Sequence, residues 1–137
     1  MPSKPYSGLY FNWKFFQSLR QHLAQALEPL HLPVRDFFLL SVMRQQPCSQ
    51  RELAAICGLD PSSMVPVVDA LERRGWIVRQ RDPRDRRVHL VTLSTDGRAL
   101  HTCALALAKR VEAQQMSRLT ETERTQLSEL LRKLVDV

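Results

Sequence analysis

The chain has 137 residues, 44% of them apolar and 25% charged, with a formal charge of +6, which is ordinary for one soluble globular domain. A chain this small buries proportionally little of its surface, so pairing with a second copy is an expected way to complete its core. No secretory leader pattern and no apolar run near about eighteen residues is present, and Cys48, Cys57 and Cys103 form no Cys-x-x-Cys pair; a secreted disulfide scaffold and a membrane span are therefore excluded, and a reducing cytoplasmic setting is expected.

The opening Met1 to Gly8, with two Pro, two Ser and a Gly, reads as a loose arm. From Leu9 an amphipathic pattern runs through Trp13, Phe16, Leu19, Leu23 and Leu27 and predicts a first helix that stops near Pro29. Pro33 suits the first turn of a second helix, whose run Phe37 to Met43 is apolar nearly all round and belongs at the centre of a domain. Ser49 with Glu52 makes a capping box that opens a short helix from Gln50 to Cys57, stopped by Gly58. Asp60-Pro61-Ser62-Ser63 is a second start signal, for a helix carrying Val67, Val68 and Leu71 towards Gly75. Two short helices joined by a tight Gly-containing turn are a helix-turn-helix signature.

Beyond Gly75 the period changes. Trp76 to Val78 and Val88 to Leu93 are rich in β-branched residues, and the segment Asp82 to Arg87 between them has turn composition, which predicts a hairpin with a basic tip. Ser94, with Asp96 in the first turn, caps a long Ala-rich helix to about Met116, with Leu100, Ala104, Leu107 and Val111 on one stripe. Thr120 with Glu123 caps a last helix, whose apolar face is Leu127, Leu130, Leu131 and Leu134. The expected class is mainly α with a small β-hairpin wing (α+β).

The charge is concentrated. Sixteen of the twenty basic residues are Arg, and between Arg73 and Arg98 eight Arg face three Asp, a local excess of 8 − 3 = +5. Arg presents a planar fork suited to phosphate and guanine edges, so the stripe is an electrostatic footprint for nucleic acid. A helix that opens with Ser62 and Ser63 fits the major groove, with Ser49 and Gln50 beginning the preceding helix and Arg73 and Arg74 closing this one. The hairpin tip then brings Arg84, Arg86 and Arg87 to an adjacent minor groove.

The residues that define these elements also resemble a family. Leu71-Glu72-Arg73-Arg74-Gly75-Trp76-Ile77, then Arg81-Asp82-Pro83-Arg84-Asp85-Arg86-Arg87, then Leu93-Ser94-Thr95-Asp96-Gly97 are similar to the successive motifs of MarR regulators. The resemblance implies a winged helix-turn-helix in which 9–31 and 96–137 are dimerisation helices around a DNA-binding lobe at 32–95, all within one domain, 1–137. It implies that Asp85 orients a wing arginine, Arg86, by an ion pair. It further implies a homodimer on a pseudo-palindromic operator, with recognition helices about 34 Å apart. A small aromatic or phenolic effector is expected between the helices and the lobe, releasing the DNA.

For that effector the aromatic residues Tyr10, Trp13, Phe16, Phe37 and Phe38 are candidates, with His22 or Arg35 to meet a carboxylate; aromatic stripes at helical spacing are more often plain core. The sequence departs from many relatives at Val65 and Pro66, where Thr and Arg are common. Two arrangements accommodate Pro66: a helix kinked there, or one that starts late with Ser63 as its cap. Direct base readout is expected to be thin, with phosphates, wing and DNA shape contributing more.

Other functions fit less well. A thiol-based redox sensor would use Cys48 near a helix start, against the plainer role of small buried hydrophobe. A winged helix used for protein contacts is the second alternative. No nucleophile motif or phosphate loop supports an enzyme, and no cofactor or metal is expected, since His101 and Cys103 stand two apart on one helix and cannot share an ion.

Overall fold

The computed structural model describes residues 7–135; the expected arm at Met1 to Tyr6 lies outside them. Its elements are α1 (Ser7–Leu27), a 3₁₀ turn at Glu28–Leu30, α2 (Val34–Gln45), β1 (Cys48–Ser49), α3 (Gln50–Cys57), α4 (Pro61–Arg73), β2 (Ile77–Arg81), β3 (His89–Leu93), α5 (Thr95–Gln115) and α6 (Glu121–Val135). Ser7 and Gly8, read as part of the arm, already belong to α1. The chain forms two compact units: a lobe from Leu27 to Ala106, and a terminal unit built from the preceding residues together with Leu107 onward.

Within the lobe, capping sets the helix starts. Ser49 accepts from the Glu52 N–H at 3.1 Å while the Glu52 carboxylate accepts from the Ser49 N–H at 2.8 Å, the reciprocal box that opens α3. Gly58 ends the helix in the left-handed region, at φ 66°, which a residue without Cβ adopts at little cost. Asp60 caps α4 and Pro61 occupies its first turn, where a missing N–H is harmless. The late start at Ser63 is therefore overturned: α4 begins at Pro61 and continues through Pro66, its sixth residue, without interruption. The fully covered side chains of Leu27, Leu39, Leu40, Met43, Leu53, Met64, Val68 and Leu71 make the lobe's core. Pro33 is the N-cap of α2 rather than a residue of its first turn, and α2 is less uniformly buried than its run of apolar residues suggests, since Phe38 is 55% exposed.

The hairpin is antiparallel, with Ile77 opposite Leu93 and Arg81 opposite His89. On the other edge of β3 lies β1, with Cys48 opposite Val91, giving the strand order β1-β3-β2. Two residues are too short to show a period, so nothing in the sequence announced β1.

The exit from the hairpin explains a glycine. Ser94 donates its hydroxyl to the Gly75 carbonyl at 2.6 Å and accepts the Gly97 N–H at 3.0 Å, while its own N–H donates to the Trp76 carbonyl at 3.0 Å. This draws the first turn of α5 onto the end of the preceding turn so closely that a Cβ at Gly97 would collide with the Trp76 backbone, 2.8 Å from its carbonyl carbon. Two separated sequence motifs are thus one physical contact.

In the terminal unit, Ser18 of α1 donates to Gln115 of α5 at 2.9 Å, and Arg124 of α6 donates Nε to the Met116 carbonyl at 3.1 Å. Thr120 and Glu123 form the expected capping box, at 2.9 and 3.2 Å. Leu23, Val111 and Met116 are buried, and α6 has no buried residue.

Candidate nucleic-acid interface

The wing loop after β2 is shaped by its acids. Asp82 accepts the Arg84 backbone N–H at 2.9 Å and Asp85 accepts that of Arg87 at 3.1 Å, two Asx turns, while Asp82 N–H to Val88 carbonyl at 2.9 Å closes the loop. Asp85 also holds the Arg87 guanidinium, Nε at 3.2 Å and Nη2 at 3.3 Å. This corrects the expectation that Asp85 pairs with Arg86: the Asx turn folds residue 87, two positions on, back over the carboxylate. These bonds hold the Asp85 carboxyl below the ordinary carboxylate range, the Arg87 side chain contributing most. Arg84 and Arg87 nonetheless expose 91% and 90% of their side chains. Arg86 is exposed at the tip.

The exposed face of α4 differs from what its residue types suggested. Ser62 and Ser63 both donate their hydroxyls to Asp60, the latter at 2.6 Å, and the Ser63 N–H donates to the same carboxylate at 3.2 Å. The two serine hydroxyls lower the Asp60 pKa to about 2, so the anion persists at every working pH. Further along, Arg79 of β2 pairs with Asp69 and, at 3.3 Å, with Glu72. That clamp ties the wing's first strand to the helix and removes Arg79 from the free basic stripe. Arg74 stacks on the Trp76 ring, 3.6 Å from its centroid, and Arg73 projects outward as an exposed residue. Ser49 is engaged in its capping box, and the Gln50 amide nitrogen is buried with no hydrogen-bond partner.

The expected ligand residues fall in two groups. Arg35, Phe38, Ser41 and Val42 of α2 meet Ile56 and Cys57 of α3 around a mostly apolar cavity of about 680 Å³ in the lobe. Phe37 is buried and stacks on His101 at 5.6 Å, so it is core. Tyr10, Trp13, Phe16 and His22 belong to the terminal unit; Tyr10 and Trp13 pack at 6.2 Å, Trp13 and Phe16 line an open groove of about 400 Å³ on α1, and His22 donates to the Ser18 carbonyl at 2.7 Å.

Beside the cavity a polar chain went unnoticed in the sequence. Arg44 donates to His101 Nδ1 at 3.0 Å and to Thr102 at 2.9 Å; His101 Nε2–H donates to Ser41 at 2.8 Å, and Ser41 donates to the Phe37 carbonyl at 2.9 Å. An arginine can only donate, so Nδ1 must be the bare nitrogen, and burial together with the Arg44 charge pushes the His101 pKa down. Only the packing of α2 on α5 brings these residues together. The roles of Asp60 and Arg79 were half legible: the cap was readable, the clamp depends on strand register.

Cys48 is buried, and burial raises its pKa, as it does that of Cys57. Among the described residues no group of three or more His, Cys, Asp or Glu is placed to hold a metal ion, and no single helix is long and apolar enough to cross a membrane.

Known proteins agree with this architecture. The MarR family model matches residues 37–89. The HTH-type transcriptional repressor Rv2887 of Mycobacterium tuberculosis is 31% identical over 126 residues, 91% of either chain; its structure with salicylic acid has a TM-score of 0.74 at 30% identity, covering 97% of this chain and 98% of that one. CouR of Rhodococcus jostii RHA1, solved with p-coumaroyl-CoA, has a TM-score of 0.84 at 31% identity over 96% of this chain and 95% of its own. BpsR of Bordetella bronchiseptica, whose DNA binding is regulated by 6-hydroxynicotinic acid, has a TM-score of 0.83 at 27% identity, covering 98% and 99%. With wing, capped helix and flanking helices all aligned, this chain belongs to the MarR family of winged helix-turn-helix transcriptional regulators.

Proposed function

We propose that the protein is a cytoplasmic repressor that binds a pseudo-palindromic operator as a homodimer, and that a small aromatic acid releases it. The observation that carries this reading is the exposed arginine set of the wing, Arg84, Arg86 and Arg87, held on a hairpin that Arg79 ties to α4. Lobe 32–95 would present α4 to a major groove and the wing to the next minor groove, where narrow width and negative potential favour an inserted guanidinium. Arg86, whose head no carboxylate holds among the described residues, takes that position. Arg84, Arg87, Arg73 and Arg74 meet phosphates; Ser49, Gln50, Ser62 and Ser63, expected from the sequence to join them, have their hydroxyls in the Ser49 and Asp60 caps or, for Gln50, a buried amide nitrogen.

The exposed Leu9, Phe11, Trp13 and Phe16 of α1, with Leu130, Leu131 and Leu134 of α6, supply an apolar face for the second copy. For the effector, the cavity between α2 and α3 offers apolar walls and the Arg35 guanidinium for a carboxylate. Salicylic acid, p-coumaroyl-CoA and 6-hydroxynicotinic acid, the compounds of the relatives Rv2887, CouR and BpsR, have the same chemistry, an aromatic body with a polar end. Nothing in this arrangement calls for catalysis. The raised Cys48 and Cys57 pKa values disfavour the thiolate that an oxidant attacks, so peroxide is expected to leave DNA binding unchanged.

A titration of duplex DNA retained by the protein, repeated across salt concentrations, tests the reading. Affinity that falls steeply with salt is expected, because arginine–phosphate contacts release counterions. A monomer indifferent to duplex DNA in dilute buffer would overturn it.

A further inference from the structure

On the face that α4 turns outward, the hydroxyl protons and carboxylates near its middle are already engaged within the protein. Ser62 and Ser63 give their hydroxyls to Asp60, Asp69 and Glu72 are occupied by Arg79, and Met64, Val68 and Leu71 are buried in the core. What remains outward in the middle of the helix is Val65, 43% exposed, and the adjoining exposed Pro66. At spacings of three and four residues these two lie on the same side as Ser62 and Asp69. Arg73, seven residues on from Pro66, lies on the same side of the helix, and the exposed wing arginines sit on the hairpin that Arg79 ties to this helix, so the partner that charge complementarity selects is a polyanion.

We propose that Val65 and Pro66 are specificity-determining residues that read the C5 methyl group of thymine by apolar contact in the major groove. The inference rests on the proposed DNA-binding role and adds to it the kind of base read. Of the groups displayed in that groove the thymine methyl is the apolar one, and it needs no donor or acceptor from the protein. A hydrogen-bonding edge facing Val65 would instead lose its water without replacement, so such bases are disfavoured at the contacted positions.

The test uses the full chain and a duplex it enriches from a random-sequence pool. Each thymidine of that duplex is replaced in turn by deoxyuridine, which removes the methyl and keeps both hydrogen-bonding edges. Expected is a loss of affinity of about fourfold at one or two thymines of each half-site, the equivalent of exposing one methyl group. In Val65→Ala, whose exposed side chain is not needed for folding, that penalty should vanish while the remaining thymines behave as before; Pro66→Ala should reduce it. Enrichment of a duplex on which every uridine substitution is neutral, or a penalty that survives intact in both variants, overturns this inference and leaves the DNA-binding role standing. Failure to enrich any duplex overturns both.

Discussion

The lobe and the terminal helices meet the demand for burial differently. In the lobe eight large side chains from Leu27, α2, α3 and α4 are fully covered within one copy, and its exposed apolar residues are few, several of them around the cavity. In the terminal unit α6 buries nothing, while Leu134 is 80% exposed and Leu9 71%. One region completes its core alone; the other leaves large apolar side chains of α1 and α6 exposed. A division of labour fits the proposed dimer: a self-sufficient lobe can hold a wing and a helix at fixed geometry, and the terminal helices keep apolar residues for a second copy.

The comparison can be broken from either side. The largest effect is expected at Leu40, completely buried in the lobe: Leu40→Ala should lower stability to urea by about 2–5 kcal/mol, as a cavity in a closed core does. On the terminal face, Leu131→Asp with Leu134→Asp should weaken self-association on the order of a hundredfold or more by sedimentation, with helical content retained, since each leucine is lost from both copies of a symmetric contact. A dimer as tight as the parent would mean that this face has another use.

The wing sharpens the contrast further, because it adds function without adding stability. Arg86→Ala should weaken operator binding by about tenfold or more in a gel shift with an unchanged circular dichroism spectrum and melting temperature. Unchanged affinity in that folded variant would refute the wing's role. Thr120→Ala removes half of the α6 capping box and should cost about 1 kcal/mol in thermal unfolding. The smallest effect is expected from acid. His101 is neutral in the native lobe and its pKa is depressed, so its contribution is intact above about 6.5, where the unfolded chain is neutral too, and is lost as pH falls through the native value. Melting temperature measured from neutral to mildly acidic pH should therefore drop less in His101→Gln than in the parent.

Most local structure was legible along the chain. The boxes at Ser49/Glu52 and Thr120/Glu123, the Asp60-Pro61 start and the stop at Gly58 act within one turn of backbone, so residue type alone specifies them. The concentration of arginine in the wing was equally plain, since charge is additive along a sequence. Which arginine Asp85 holds was not, because two neighbouring candidates differ only by the path of the turn, and the Asx bond to residue 87 decides between them.

Only the tertiary structure could assign the rest. β1 exists because β3 offers it an edge; the Arg79 clamp, the Arg44–His101–Ser41 chain and the cavity against α2 each join residues far apart in sequence. The serines of α4 show the same limit at short range, for their type promised contacts with a partner and their geometry gave those hydroxyls to Asp60. Sequence determines which groups are present and which turns they favour. Whether a polar group is free for a partner depends on what packing has already placed beside it.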